Sequence, residues 1–291
     1  MTRGNSAQLV RRRSHRMTRR ELMLLLGAAV TAPRVLRAQQ KAMPVIGFLG
    51  VSSDATFMSA FRQGLSETGY VEGQNVAFEY RVANFAYERL PALAADLVSR
   101  KVDLIVTGNG TPTALAAKSA TSTIPIVFTS VGDPVGIGLV TSLARPDGNL
   151  TGFSNISAEL TAKLLDLLSE LVPQSGVIAL LVNPNNPNAG PLIRYAQEAV
   201  HAKGVQLAVL KAGNEGEIDA AFASLVQLRA GALVVDPDGF FTSRREQLVA
   251  LASRHVVPAI YAHRQFVAAG GLISYGIDDT PVNRRAGDRQ P

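Results

Sequence analysis

Five short polar stretches, each following an apolar run, hold the candidate chemistry of this chain. They read Gly50-Val51-Ser52-Ser53-Asp54, Thr107-Gly108-Asn109-Gly110-Thr111, Thr129-Ser130-Val131-Gly132-Asp133, Asn183-Pro184-Asn185-Asn186 and Asp236-Pro237-Asp238-Gly239. Small Ser, Thr, Asn and Gly residues leave backbone N–H groups open to a ligand. Helix N-termini expected after Thr111 and Asp133 add partial positive charge, which suits a carboxylate. Asp133, Asp236 and Asp238 could pair with an ammonium group. A zwitterion such as an amino acid would satisfy both. Each loop alone has a plainer reading, because Asp and Asn before helices serve as caps and strand-end glycines serve turns. Five such loops converging on one edge favour a binding site for the set.

Catalytic and metal chemistry finds little support. The four histidines are His15, His201, His255 and His263, and none has metal-ligand spacing. No G-x-S-x-G elbow or Walker A loop is present. Gly108-x-Gly110 follows a strand, but Thr113 replaces the third glycine of a dinucleotide fingerprint. The chain has no cysteine, which excludes disulfides, thiolate metal sites, a cysteine nucleophile and a two-cysteine racemase. No cofactor is expected.

The formal net charge of +6 is carried by the leader. Residues 1–38 hold nine arginines and one acid, Glu21, so the remainder has 20 basic and 22 acidic residues. A basic body that binds nucleic acid is therefore not supported. Arg19-Arg20 stands directly before an apolar run, Leu22 to Val30, and Leu36-Arg37-Ala38 precedes Gln39. Basic region, short apolar region and small-residue cut site make a secretory signal of the twin-arginine type, cleaved near Ala38. The expected destination is the periplasm, and the start is Met1 or Met17.

The elements that must position the loops alternate between strand and helix. Val45–Leu49, Val76–Val82, Asp103–Thr107 and Ile126–Phe128 read as strands. Helical spacing joins Phe57, Phe61 and Leu65, with Gly69 as the stop, and a second helix face runs through Leu90, Leu93, Leu97 and Val98. Thr111-Pro112 reads as N-cap and first helical residue, and Asp133-Pro134 repeats the device. The Gly/Pro-rich stretch from Pro146 to Gly152 reads as the crossing into a second half. There Val177–Val182 echoes Val45–Leu49, Gly231–Val235 echoes Val102–Val106, and Val257–Tyr261 echoes Ile124–Phe128, at offsets of 132, 129 and 133 residues. Val205–Leu210 is a further strand, and Ala196–Ala202 and Phe222–Val226 lie in helices. Continuous apolar strands alternating with helices imply parallel sheets covered on both faces. The expected fold class is therefore α/β: two similar doubly wound parallel-sheet domains with a cleft between them. In such sheets ligands sit outside the carboxyl ends of the strands.

The chain resembles the tryptophan/tyrosine-type substrate-binding proteins of ABC transporters. The resemblance runs from about Pro44 to Gly287. It rests on Gly69-Tyr70-Val71-Glu72-Gly73-Gln74-Asn75-Val76, on Asp103-Leu104-Ile105-Val106 with Thr111-Pro112, on Pro125 to Thr129 with Asp133-Pro134-Val135-Gly136, and on Gly148-Asn149-Leu150-Thr151-Gly152. It implies a periplasmic-binding fold of type I, with lobe 1 at residues 44–153 plus 275–291 and lobe 2 at 154–274. It implies a non-enzymatic, monomeric clamp that delivers a small solute, in several members an aromatic amino acid, to an ABC permease in the inner membrane. By position Thr111, Asp133 and Asp238 match polar cleft residues, and Asn183 and Asn185 sit in the first loop of lobe 2. Asn155 stands where relatives often have aspartate, and Tyr275 and Asp278 lie on the returning segment. The ligand-binding set expected is thus Ser52, Ser53, Thr107, Gly108, Asn109, Thr111, Ser130, Asp133, Asn155, Asn183, Asn185, Asp236, Asp238, Tyr275 and Asp278. The resemblance also implies a further helix after Arg284-Arg285-Ala286-Gly287, where this sequence ends Asp288-Arg289-Gln290-Pro291, so a shortened first lobe is expected. The competing readings are the ligand-sensing domain of a regulator, which would need a helix-turn-helix where the leader stands, and a non-functional remnant of a binding protein.

Overall fold

The computed structural model describes residues 43–288 apart from Asp54, Asp147, Ile156, Ala202, Lys203, Ile277 and Asp279. The expected leader, residues 1–38, lies outside the described residues.

The first sheet contains β1 (Val45–Gly50), β2 (Ala77–Val82), β3 (Leu104–Gly108), β4 (Ile126–Gly132) and β5 (Leu150–Asn155), in the order β2-β1-β3-β4-β5. The second contains β6 (Val177–Val182), β7 (Gln206–Lys211), β8 (Ala232–Val235), β9 (Ala259–Tyr261) and β10 (Ile273–Ser274), in the order β7-β6-β8-β9-β10. Every pairing is parallel. The second sheet therefore repeats the first strand for strand, as the echoes between halves require. One offset shifts: Ile105 stands opposite Gly47 as Leu233 stands opposite Ala179, so β3 and β8 are related by 128 residues rather than 129. This places Asp236 and Asp238 at the positions of Gly108 and Gly110.

The strands are apolar without interruption because both faces of each sheet are covered. In β6, Ala179 and Leu181 enter one core, while Ile178, Leu180 and Val182 enter another on the opposite face. In the first sheet, Leu49, Ile105, Ile126 and Phe128 pack against α2 (Leu90–Ser99) and α3 (Thr111–Ala120). Ile46, Phe48, Leu104 and Val106 point to the other face, where Phe57 and Phe61 of α1 (Ala55–Glu67) cover them. The second sheet is covered by α4 (Ser157–Leu171) and α5 (Ala189–His201) on one side. On the other lie α6 (Glu215–Gln227), α7 (Gly239–Ser243), α8 (Arg245–Arg254) and α9 (Arg264–Ala268).

Three local readings are corrected. Thr111 is the first helical residue of α3, and Gly110 is its N-cap, at φ 92° and ψ −154°. That backbone region is open almost only to glycine. Asp133-Pro134 starts a turn rather than a helix: Asp133 Oδ1 accepts from Gly136 N at 2.9 Å, and Ile137 N bonds back to the Asp133 carbonyl at 3.1 Å. Finally, the segment read as a crossing supplies the fifth strand. Its apolar residues are few because it is an edge strand, and Gly152 lets Phe128 lie directly against it.

The closing helix, α10 (Thr280–Asp288), packs on α1 by a close backbone approach. A Cβ at Gly64 would overlap the carbonyl of Arg284, and one at Gly287 would overlap the carbonyl of Phe61. Arg284 adds ion pairs to Glu67 at 2.8–2.9 Å, but both side chains are largely exposed and such pairs contribute little. The close packing is the stabilising term. Gly64→Ala should therefore lower stability by about 1–3 kcal/mol, the usual cost of overfilling a packed contact. A urea melt checks this. An unchanged midpoint would mean that α10 does not hold its place on α1.

Candidate functional site

The site is built around Asp238, which has only 2 % of its surface exposed. It is the N-cap of α7, and its Oδ1 accepts from Phe240 N at 2.9 Å. Asn183 Nδ2, from the loop after β6, donates to the same oxygen at 3.0 Å, and Asn186 Nδ2 donates to Oδ2 at 2.8 Å. Strands β6 and β8 are neighbours, so their carboxyl-end loops meet here. The fourth donor comes from the other half of the chain. The Tyr87 hydroxyl, on the helical turn after β2, lies 3.2 Å from both Asp238 oxygens. The ring of Tyr87 packs against the core of the first sheet.

Phe85 reinforces this crossing. It packs against the core of the second sheet, with its ring centroid 6.3 Å from that of Phe240. Asn84 and Phe85 stand at φ 53° and 64°. Left-handed backbone in non-glycine residues costs about 1–3 kcal/mol at each position and clusters where function requires it. Asn109, Ser130 and Asp133 share this conformation. Among the described residues, five of the eight non-glycine positions with positive φ thus sit at the carboxyl edge of the first sheet, Ser130 in the irregular end of β4 and the others in loops. The other three, Lys101, Arg229 and Val256, follow helix ends, where the left-handed conformation is an ordinary stop.

Asp236 is the second acid. It follows β8 directly, is 5 % exposed, and anchors its own N–H on the Leu181 carbonyl at 3.0 Å. No described residue donates a hydrogen bond to its carboxylate. Burial pushes its pKa well above the usual carboxylate value, and the nearby charge of Asp238 pushes it further. Burial also raises Asp238, against its four donors. The donors oppose the rise at Asp238, and Asp236 lacks any such opposition. Burial, then the charge of Asp238, holds the Tyr87 hydroxyl protonated, so it remains a donor.

Among the described residues, the carboxyl edge of the first sheet carries no buried carboxylate pair. Asn109 Oδ1 accepts from Ser52 N at 3.5 Å, and Asn155 Nδ2 donates to the Ser130 carbonyl at 3.1 Å. Thr113 Oγ1 donates to the Gly108 and Gly110 carbonyls at 2.9 and 2.8 Å. This braces the loop before α3, whose N-terminus has no side-chain cap. Thr111 is buried, and the Thr107 hydroxyl is buried with no hydrogen-bond partner.

The expected set thus divides. Asn183, Asp236 and Asp238 form one cluster. Ser52 with Asn109, and Ser130 with Asn155, form the braced loops of the first sheet beside Thr107, Gly108 and Thr111. Asn185 contributes only its backbone, which donates to Asn183 Oδ1 at 3.0 Å. Asp133 is engaged in its own turn. Ser53 is exposed, Tyr275 is exposed, and Asp278, also exposed, accepts from Thr280 N at 3.0 Å, so these three do not join the cluster. Tyr87, Phe85, Phe240 and Asn186 were missed. The sequence signal was present in Asn84-Phe85-Ala86-Tyr87, two aromatics straight after a strand end. Among the described residues, no group of three or more His, Asp or Glu could hold a metal ion.

The raised acids make a pH prediction. In the unfolded chain an Asp titrates near about 3.9. The folded pKa of Asp236 lies above this, so the folded state binds the extra proton. The stability it contributes is full below the unfolded value and is lost as pH rises through the folded one. The contribution of Asp236 to unfolding free energy should therefore fall as pH rises above about 4. Asp236→Asn should flatten that fall, as measured by urea melts across the range. An equal slope in the variant would refute the assignment.

Comparison with known proteins gives the family and the fold. A family model described as ABC transporter substrate binding protein matches residues 42–289. A tyrosine-binding protein of Clostridioides difficile (strain R20291) is 29 % identical over 228 residues, which are 78 % of this chain and 65 % of that protein's length. Among solved structures, a conserved domain protein of Vibrio cholerae superposes with a TM-score of 0.77 at 28 % identity, covering 84 % of this chain and 83 % of that one. The ligand-free, open structure of a Clostridium difficile substrate binding protein with adhesive properties gives 0.57 at 26 % identity, with 84 % and 83 % covered. An ABC domain from Streptococcus pneumonia in complex with L-Trp gives 0.74 at 23 % identity, with 84 % and 82 % covered, a likeness of fold. Two repeated parallel sheets, polar carboxyl edges and a family match over nearly all described residues lead to one conclusion: this chain belongs to the ABC transporter substrate binding protein family.

Proposed function

We propose that this chain is the periplasmic solute-binding component of an ABC importer. Its ligand is a small amino-acid-like solute held between lobe 1 (residues 44–153 plus 275–291) and lobe 2 (154–274). The leader directs export, and a permease in the inner membrane receives the ligand from a monomeric carrier. The observation that carries this reading is the buried acid pair at the carboxyl edge of β8. Its equivalents in the first sheet are Gly108 and Gly110, which precede an uncapped helix N-terminus. One side of the cleft thus offers negative charge and the other offers backbone N–H groups.

A zwitterion matches both sides. Its ammonium group goes to the acid pair, where it is desolvated but paired. Its carboxylate goes to the Gly108–Thr111 loop and the N-terminus of α3. The Clostridioides difficile relative, a tyrosine-binding protein, supports an aromatic amino acid as the first candidate.

A thermal melt of the purified chain tests this. L-tyrosine or L-tryptophan should raise the transition; a ligand at a hundredfold its Kd stabilises the native state by about 2.7 kcal/mol. The deaminated analogue 3-(4-hydroxyphenyl)propionate should bind at least about tenfold more weakly, since a buried acid would be left unpaired. Equal shifts from the amino acid and the deaminated analogue would contradict the assignment.

A further inference from the structure

A recess of about 350 Å³ lies on the second sheet, apart from the acid pair. It is bounded by the last turns of α8, by the residues entering β9 and by the Gly270–Leu272 loop that enters β10. These segments reach the sheet at the amino ends of its strands, whereas Asn183, Asp236 and Asp238 leave it at the carboxyl ends. Val249, Ala252, Val257 and Leu272 give the recess an apolar wall. Among the described residues, none of the side chains lining it carries a charge.

Tyr261, the last residue of β9, also lines the recess. Only 1 % of it is exposed, and its ring stacks on that of Phe266 with centroids 4.3 Å apart. Its hydroxyl makes no hydrogen bond among the described residues, and burial alone pushes its pKa up. A Cβ at Gly271 would stand 2.9 Å from Cε2 of the ring, so the glycine loop runs along the ring edge next to the hydroxyl. The internal repeat places a plain ring at the equivalent position. Leu233 pairs with Ala259 as Ile105 pairs with Ile126, which makes Phe128 the counterpart of Tyr261. Phe128 is as deeply buried in its own core. The scaffold therefore accepts a ring without the hydroxyl here, and a buried hydroxyl without a partner is destabilising.

We infer that this recess is a second binding site, for a small uncharged molecule with an apolar body and one hydrogen-bond acceptor, which takes the Tyr261 hydroxyl as its donor. The volume falls at the small end of the range for ligand pockets, about 300–1,000 Å³. The uncharged lining excludes a free amino acid, whose ammonium and carboxylate would be buried unpaired. The occupant thus differs in chemistry from the solute proposed for the acid pair, and the inference does not depend on that proposal. A simple aromatic ketone has the required features.

NMR of the full chain with labelled valine and leucine methyl groups tests this, with acetophenone as the probe and ethylbenzene as its counterpart without the carbonyl. Acetophenone should shift the methyl signals of Val249, Val257 and Leu272 in a saturable way. Ethylbenzene should bind the same methyls at least about fivefold more weakly, the usual worth of one neutral hydrogen bond. Tyr261→Phe should weaken acetophenone by a similar factor and leave ethylbenzene unchanged. Its fold is checked by circular dichroism, and the comparison of the two probes on the parent chain needs no variant. Acetophenone shifts confined to other methyls, or equal affinity of the parent for the two probes, would overturn the site. Equal affinity of parent and folded Tyr261→Phe for acetophenone would overturn the role of the hydroxyl.

Discussion

Two carboxylates two residues apart, both buried, are the constraint on which the rest of this structure turns. Burying an ionised acid is costly unless hydrogen bonds replace its water. The fold meets that cost for Asp238 with four donors drawn from three separate segments. Two are asparagines on the loop after β6, one is the backbone of α7, and one is a tyrosine from the other half of the molecule. It leaves Asp236 without a donor. An acid in that condition protonates or waits for a cation, and its place at the carboxyl edge of a parallel sheet is where such folds take ligands.

The duplicated architecture explains why the acids fall there. Each half supplies the same strand order, so the loop after β3 and the loop after β8 occupy equivalent places. In the first half the loop is Gly108-Asn109-Gly110; in the second it is Asp236-Pro237-Asp238. One scaffold position thus became a bed of backbone N–H groups in one copy and a pair of acids in the other. On the function proposed above, closing the two halves would bring opposite electrostatic preferences together and so would select for a ligand with both charges.

Much of the fold was legible in the sequence because strands buried on both faces must be apolar without interruption. Val45–Leu49, Val177–Val182 and their partners could hardly be anything else. Strand β5 was not legible, since at an edge only Leu150 of its six residues is fully buried and Gly152 looks like a turn. The helix expected after Asp133 failed for a related reason: an Asp-Pro pair caps a single turn as readily as a helix, and only the packing decides. At the site, Asp236, Asp238 and Asn183 announced themselves as polar residues at strand ends. Tyr87 did not, because its role depends on a contact across 151 residues that no local pattern encodes. Tyr275 and Asp278 lie outside the cluster around Asp238, one exposed and the other bonded to Thr280 N.

The most direct measurement is the ionisation of Asp236 itself. The side-chain carboxyl carbons of the aspartates can be followed by NMR as pH is raised, with Asp236→Asn giving the assignment. Asp278 provides an internal reference, since the hydroxyl and backbone N–H of Thr280 hold its pKa below the ordinary value. In the ligand-free protein Asp236 should keep its proton well after Asp278 has lost its own. If Asp236 titrates together with Asp278 or before it, the acid is neither buried nor unpartnered in solution, and the account of the cleft as a seat for a cationic group would be wrong.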